Sequence, residues 1–206
     1  MKSRNRVFGF LVGISMLAFL MVSCATVPEL KALYRLPPSS NQLGGHEVFF
    51  SLDDARGSKD ILKEGARNEF KHFPGNIIYS IARYKEAGFR LGPYELTDMI
   101  KDAFNRRFEN MGLKVLHTAE TGKPELKIVL QKFTLGFAKR DWVAKMRYEA
   151  RLIKDGRVLA TQDISGETEQ YKIVGTKGAD QAIGGLLTDA VNRLDVAKLL
   201  EQARLL

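Results

Sequence analysis

The sequence predicts an α+β domain, a mixed and mainly antiparallel sheet with two main helices packed on one face. Two kinds of periodicity and their order along the chain carry that reading. Trp142, Ala144, Met146, Tyr148, Ala150 and Leu152 alternate with Lys145, Arg147, Glu149 and Arg151, the period of two that marks a strand with one wet face. Leu96, Met99, Ile100, Ala103, Phe104, Phe108 and Met111 instead recur at helical spacing, as do Ile183, Leu186, Leu187, Ala190, Val191 and Leu194. The segments run strand, helix, strand, three-strand meander, helix, an order that suits helices laid over one side of a sheet.

The first strand is Glu47 to Leu52, ended by the turn formers Asp53-Asp54-Ala55-Arg56-Gly57. Residues 58–91 carry no clear pattern apart from a short strand at Asn76 to Ile81. Gly92-Pro93 is expected to open the first main helix, because proline is tolerated in a first turn, and Gly112 stands where a C-terminal cap belongs. Leu113 to Thr118 and Glu125 to Phe137 read as the next two strands, followed by the clean alternation from Trp142. Lys154-Asp155-Gly156-Arg157 is a hairpin signal, since a type I′ turn needs positive φ at both central residues. Val158 to Tyr171 is the returning strand. A helix from Ala179 to Leu194 follows, and Asp195 is placed to cap a last short helix with Leu199, Leu200 and Ala203.

Composition narrows the chemistry. With 206 residues, 45% hydrophobic and 27% charged, the chain suits one globular domain with appendages. Its single cysteine excludes an intramolecular disulfide and a cysteine-based structural zinc site. His46, His72 and His117 are too far apart for a metal-ligand spacing, and no cofactor is implied. The formal net charge is +8.

The amino terminus supplies an address. Lys2, Arg4 and Arg6 precede a charge-free run from Val7 to Ser23, the order of a secretory signal. A 17-residue helix would span about 25 Å, short of a hydrocarbon core of about 30 Å, so length favours a signal over an uncleaved anchor. Met21-Val22-Ser23-Cys24 resembles the lipobox of bacterial lipoproteins, with Met in place of the usual Leu. That resemblance implies cleavage before Cys24 and lipid attachment to it. Two or three acyl chains at about 0.8 kcal/mol per buried methylene hold durably where one does not. Ala25 follows, not the Asp that resembles an inner-membrane retention signal, which implies the periplasm-facing leaflet of the outer membrane.

The organisation is then a signal at 1–23, a lipidated N-terminus and linker at 24–45, and a periplasmic domain at 46–206. Removing the signal leaves 29 basic against 24 acidic residues, a net +5. Pro28, Pro37-Pro38, Ser39-Ser40 and Gly44-Gly45 read as a tether, although Leu30 to Leu36 has room for a strand. As flexible coil, its roughly 20 residues would hold the domain about 25 Å from the anchor.

Cys24, the strand end Val-Phe-Phe-Ser-Leu-Asp-Asp-Ala-Arg at 48–56, the helix end Arg-Phe-Glu-Asn-Met-Gly-Leu-Lys-Val at 107–115 and Thr-Asp-Ala-Val-Asn at 188–192 resemble the YajG-type bacterial lipoproteins. The resemblance implies a small periplasm-facing envelope lipoprotein and brings no catalytic residues with it.

Asp53, Asp54 and Arg56 are the densest ionisable cluster at a strand end, a pattern that suits acid-base work or cation binding and equally a turn in which the arginine pairs with a carboxylate. Lys145, Arg147 and Arg151, with Lys139-Arg140 before them, give a basic strand face. Export sets nucleic acid aside as a partner; anionic lipid, a cell-wall polymer or an envelope protein remains. An ordinary solvated sheet face accounts for these cations too. Gly175, Gly178, Gly184 and Gly185 lead into the last long helix, where an anion site and plain loop flexibility both explain them. The sequence contains neither a Gly-x-Ser-x-Gly elbow nor a phosphate loop. The expected activity is therefore non-enzymatic, a membrane-anchored lipoprotein binding an envelope component. The alternatives are an auxiliary lipoprotein of an envelope transport system and a hydrolase built on Asp53, Asp54 and Arg56.

Overall fold

The computed structural model describes residues 28–172 and 175–206. The expected signal and Cys24 lie outside the described residues. The architecture is α+β, as the periodicities predict, with its strands divided between two sheets rather than gathered in one.

The larger sheet has five strands in the order β5-β2-β6-β7-β8: β2 (Glu47–Asp54), β5 (Lys114–Leu116), β6 (Glu125–Ala138), β7 (Asp141–Lys154) and β8 (Arg157–Tyr171). β2 pairs in parallel with both β5 and β6, and β6-β7-β8 form an antiparallel meander. Trp142, Ala144, Met146, Tyr148, Ala150 and Leu152 are all buried, so the period of two reads the inward face of β7 correctly. Asp155 and Gly156 turn the β7–β8 hairpin at φ 51° and 73°, the conformation the type I′ signal requires.

The inward face is covered by α2 (Leu96–Asn110) and α3 (Ala179–Asn192). The Phe104 ring meets Tyr148 edge-on at 5.3 Å, and Phe108 meets Phe50 at 5.2 Å, which fastens α2 to β2 and β7. The Tyr148 hydroxyl donates to the Ala190 carbonyl at 2.8 Å and ties the meander to α3. Gly112 closes α2 at φ 84°, with its N–H on the Glu109 carbonyl and the Leu113 N–H on Phe108. Asp195 caps α4 (Val196–Gln202) by accepting from the Lys198 N–H at 2.9 Å.

The second sheet, β1-β3-β4, holds the departures from expectation. Leu30–Arg35 is β1, paired in parallel with β3 (Ile77–Ala82), and Leu30, Ala32 and Tyr34 are buried. The linker assigned to 24–45 is thus built into the domain from residue 30 onward. Even beyond β1 the chain is packed: Leu43 is fully buried and its N–H donates to the Met111 carbonyl. Turn-forming composition dominated that reading, whereas six alternating residues suffice for a strand when a partner is available. Gly92-Pro93 does not start α2. It lies inside β4 (Phe89–Tyr94), antiparallel to β3 on the sheet's edge, where a proline withholds no ladder hydrogen bond. The remaining part of the unpatterned stretch forms α1 (Glu64–Glu69), whose Ala66 is buried. Ile77, Tyr79 and Ile81 turn inward to the same core as the larger sheet.

Candidate functional site

An edge strand leaves a row of backbone groups unpaired. β1 is such a strand, and α3 covers that edge with residues spaced four apart on a single helical face: Asp180, Gly184, Thr188 and Asn192. Asp180 Oδ1 accepts from the Lys31 N–H at 2.8 Å. Thr188 Oγ1 accepts from the Arg35 N–H at 3.1 Å, and Asn192 Nδ2 donates to the Arg35 carbonyl at 3.1 Å. The other end of the Asn192 amide accepts from the Tyr34 hydroxyl at 2.9 Å, and burial holds the Tyr34 phenol far above its ordinary range.

Gly184 makes this contact sterically feasible. A Cβ at that position would lie 3.0 Å from both the N and O of Leu33, tighter than most side-chain contacts with a backbone. The seam is therefore a direct helix-to-strand backbone approach. Above it, Ala32, Leu33, Ser80, Gly88 and Gly185 leave an open groove of about 950 Å³. Its carboxylates are already engaged. Asp180 is bound by the Lys31 amide and has its pKa raised by burial, partly offset by that amide, while Asp189 pairs with Arg193. Lys31, Arg35 and small or neutral polar groups line the rest, a surface suited to contact rather than proton transfer.

The cluster at 53–56 is divided by strand geometry. Successive residues of β2 point to opposite faces, so Asp53 is exposed and lies 3.8 Å from Lys127, whereas Asp54 turns inward. Arg56 Nε and Nη2 grip the two Asp54 carboxylate oxygens at 2.8 and 2.9 Å, and Lys59 adds a 2.8 Å pair. The hydrogen bond from Arg56 holds the Asp54 carboxyl far below the usual carboxylate range. The cluster is a closed turn of paired charges, not two carboxylates converging on a common point.

The basic strand face is likewise neutralised where it was expected to be open. Lys145 pairs with Glu167 of β8 at 2.7 Å, and Arg151 pairs in fork fashion with Glu149 at 2.8 and 2.9 Å. Arg147 is exposed, beside Ser165 in the register. β8 supplies the anion for Lys145, and Glu149 of β7 itself supplies the one for Arg151. Gly178 takes φ 95° at the start of α3, a position a side chain would strain, and its Cβ would meet the Tyr171 carbonyl at 2.8 Å. His117 is exposed, and no group of three metal-ligating side chains occurs among the described residues.

No family model matches the chain, and no curated protein matches it in sequence. The fold is shared with a Xanthomonas campestris protein. That protein, described by the family model DUF330, superposes with a TM-score of 0.54 at 17% identity, covering 87% of this chain and 97% of its own. More distant matches include a hypothetical protein from Chlamydia trachomatis, with a TM-score of 0.39 at 8% identity over 76% of this chain and 98% of that one. A lipoprotein from Neisseria meningitidis gives 0.37 at 11% identity over 74% and 99%. At 17% identity the likeness to the Xanthomonas campestris protein establishes the fold and leaves function to the site. The fold match is to the DUF330 protein, so kinship with the YajG type rests on the sequence strings alone.

The groove residues escaped the sequence reading for a definable reason. A spacing of four in Asp180, Gly184, Thr188 and Asn192 was visible, but small and polar residues at that spacing look like the wet side of a helix until the bare strand edge they cover is known.

Proposed function

We propose that the chain is a membrane-anchored lipoprotein of the bacterial envelope, of YajG-type kinship and tethered through Cys24. In this reading it sits on the periplasm-facing leaflet of the outer membrane and works by binding an envelope component rather than by catalysis. The observation that carries the binding half is the groove between β1 and α3, concave, lined by small residues together with Lys31 and Arg35, and with its carboxylates already engaged. The lipobox-like Met21-Val22-Ser23-Cys24 behind a charge-free run supports the anchoring half.

Both halves are testable on the full chain. Cys24→Ser should abolish lipid labelling and release the protein from the membrane fraction; palmitate still entering that variant would overturn the anchor. Ser80→Trp should fill the groove, leave the unfolding midpoint and membrane retention near those of the wild type, and fail to restore the envelope-stress profile of a deletion strain. Full restoration by that variant would remove the groove from the function.

A further inference from the structure

A second groove, of about 630 Å³, lies between the β3–β4 hairpin, the end of α2 and the chain that leaves β1. Hydrogen bonds fix its sides. The Leu36 N–H donates to the Ala82 carbonyl at 2.9 Å, the Asn110 side-chain amide to the Pro37 carbonyl at 3.4 Å, and the Ser40 N–H to the Asn110 carbonyl at 2.9 Å. Pro37-Pro38, read in the sequence as part of a tether, thus form one wall of a built recess. The hairpin contributes two aromatic rings, Tyr84 in the turn and Phe89 at the start of β4, which are 55% and 52% exposed. Lys85 Nζ stands 5.3 Å over the Tyr84 ring and still leaves it that exposed. Two large rings left in water within one recess call for a ligand with apolar faces to lay on them.

The polar groups of the same recess decide the kind of ligand. Arg83, Glu86 and Glu109 line it and form no ion pair among the described residues, while Arg106 is held by Asp102 at 2.6 Å. A wholly apolar occupant would strand those charges without partners. An anion would meet Glu86 and Glu109, and a cation would meet Arg83 and Lys85. The core of a protein interface gathers aromatics where charged residues are depleted, whereas here both line one groove. The proline wall offers an extended peptide no ladder, since the Leu36 N–H is given to Ala82 and the prolines have none. A sugar ring meets each requirement. Its C–H face lies flat on an aromatic ring, and its hydroxyls both donate and accept, so the two carboxylates and the guanidinium are all served by one neutral molecule.

We infer that this groove binds a neutral oligosaccharide, with Tyr84 and Phe89 as stacking platforms and Arg83, Glu86 and Glu109 as partners of its hydroxyls. It shares no lining residue with the groove between β1 and α3, and it does not depend on the Cys24 anchor.

The full-length protein is titrated by calorimetry with an N-acetylglucosamine tetramer, with maltoheptaose and with decaproline. One of the two sugars is expected to bind, the first marking a cell-wall type of glycan and the second a plain glucan. Because the ligand is neutral, its affinity should change little with salt. Tyr84→Ala and Phe89→Ala should each weaken binding about tenfold, the scale of one aromatic contact, and leave the unfolding midpoint in place because both rings are exposed. Tyr84→Phe, which keeps the ring, should bind within a few-fold of the wild type. Ser80→Trp, which fills the other groove, should leave sugar binding unchanged, so the two sites fail separately. No heat from either sugar, binding that survives the loss of both rings, or tighter binding of decaproline than of either sugar overturns the site.

Discussion

The five-stranded and three-stranded sheets are held together in different ways. In the larger sheet, β6, β7 and β8 are neighbours in sequence, long, and joined by tight turns, and β7 buries every second residue from Trp142 to Leu152. In the smaller sheet, β1 pairs with a strand more than forty residues away, and its far edge is completed by helix side chains rather than by another strand. The first is stabilised mainly by apolar burial and tolerates polar variation on its wet face. The second depends on a close backbone approach, where one added carbon matters.

The largest effect should come from the meander's core. Leu152→Ala should cost about 2 to 5 kcal/mol in urea or thermal unfolding, because a fully buried leucine leaves both lost transfer energy and a cavity. A near-zero change in midpoint would break the contrast, since the burial of β7 would then not be what holds it. Gly184→Ala follows, at about 1 to 3 kcal/mol, because its Cβ would press on the Leu33 backbone. Hydrogen exchange should show that loss concentrated in β1 while the meander keeps its protection. Thr188→Ala should cost about 1 kcal/mol, as expected for removing the acceptor of the Arg35 N–H.

The contrast also sharpens with pH. Hydrogen bonds from Lys114 and Lys123 lower the Glu47 pKa to about 2, and Arg56 lowers that of Asp54 below the usual range. A carboxylate with a depressed folded-state pKa stabilises the protein above its unfolded value, and that stability is lost as pH falls toward the folded value. Both groups belong to β2, so the five-stranded sheet should weaken between about pH 4.5 and 2. Asp54→Asn should flatten that acid limb in a titrated unfolding series. The smallest effect is expected on the wet face: Lys145→Ala should change stability by no more than about 0.5 kcal/mol, because its partner Glu167 is also solvent-exposed.

The same division separates what was readable from what was not. The inward face of β7, the Asp-Gly hairpin, the α2 stripe and the Asp195 cap are local patterns, fixed by residues within a few positions of each other. β1 and β4 were hidden because proline and glycine mark turns in isolation, while a free sheet edge accepts them. The candidate sites failed in a related way. Asp53 and Asp54 are adjacent in sequence and divided by the pleat, whereas Lys145 and Arg151 looked unbalanced until Glu167 of β8 and Glu149 of their own strand were seen to pair with them.

By itself the sequence determined the α+β class and most strand and helix positions. These depend on periodicity and spacing along one chain. Tertiary structure decided the split into two sheets, the entry of residues 30–35 into the core and the groove beside β1. Each of those depends on segments dozens of residues apart meeting in space. A hydrogen bond such as that from the Lys31 amide to Asp180, 149 positions away, leaves no local trace in the sequence.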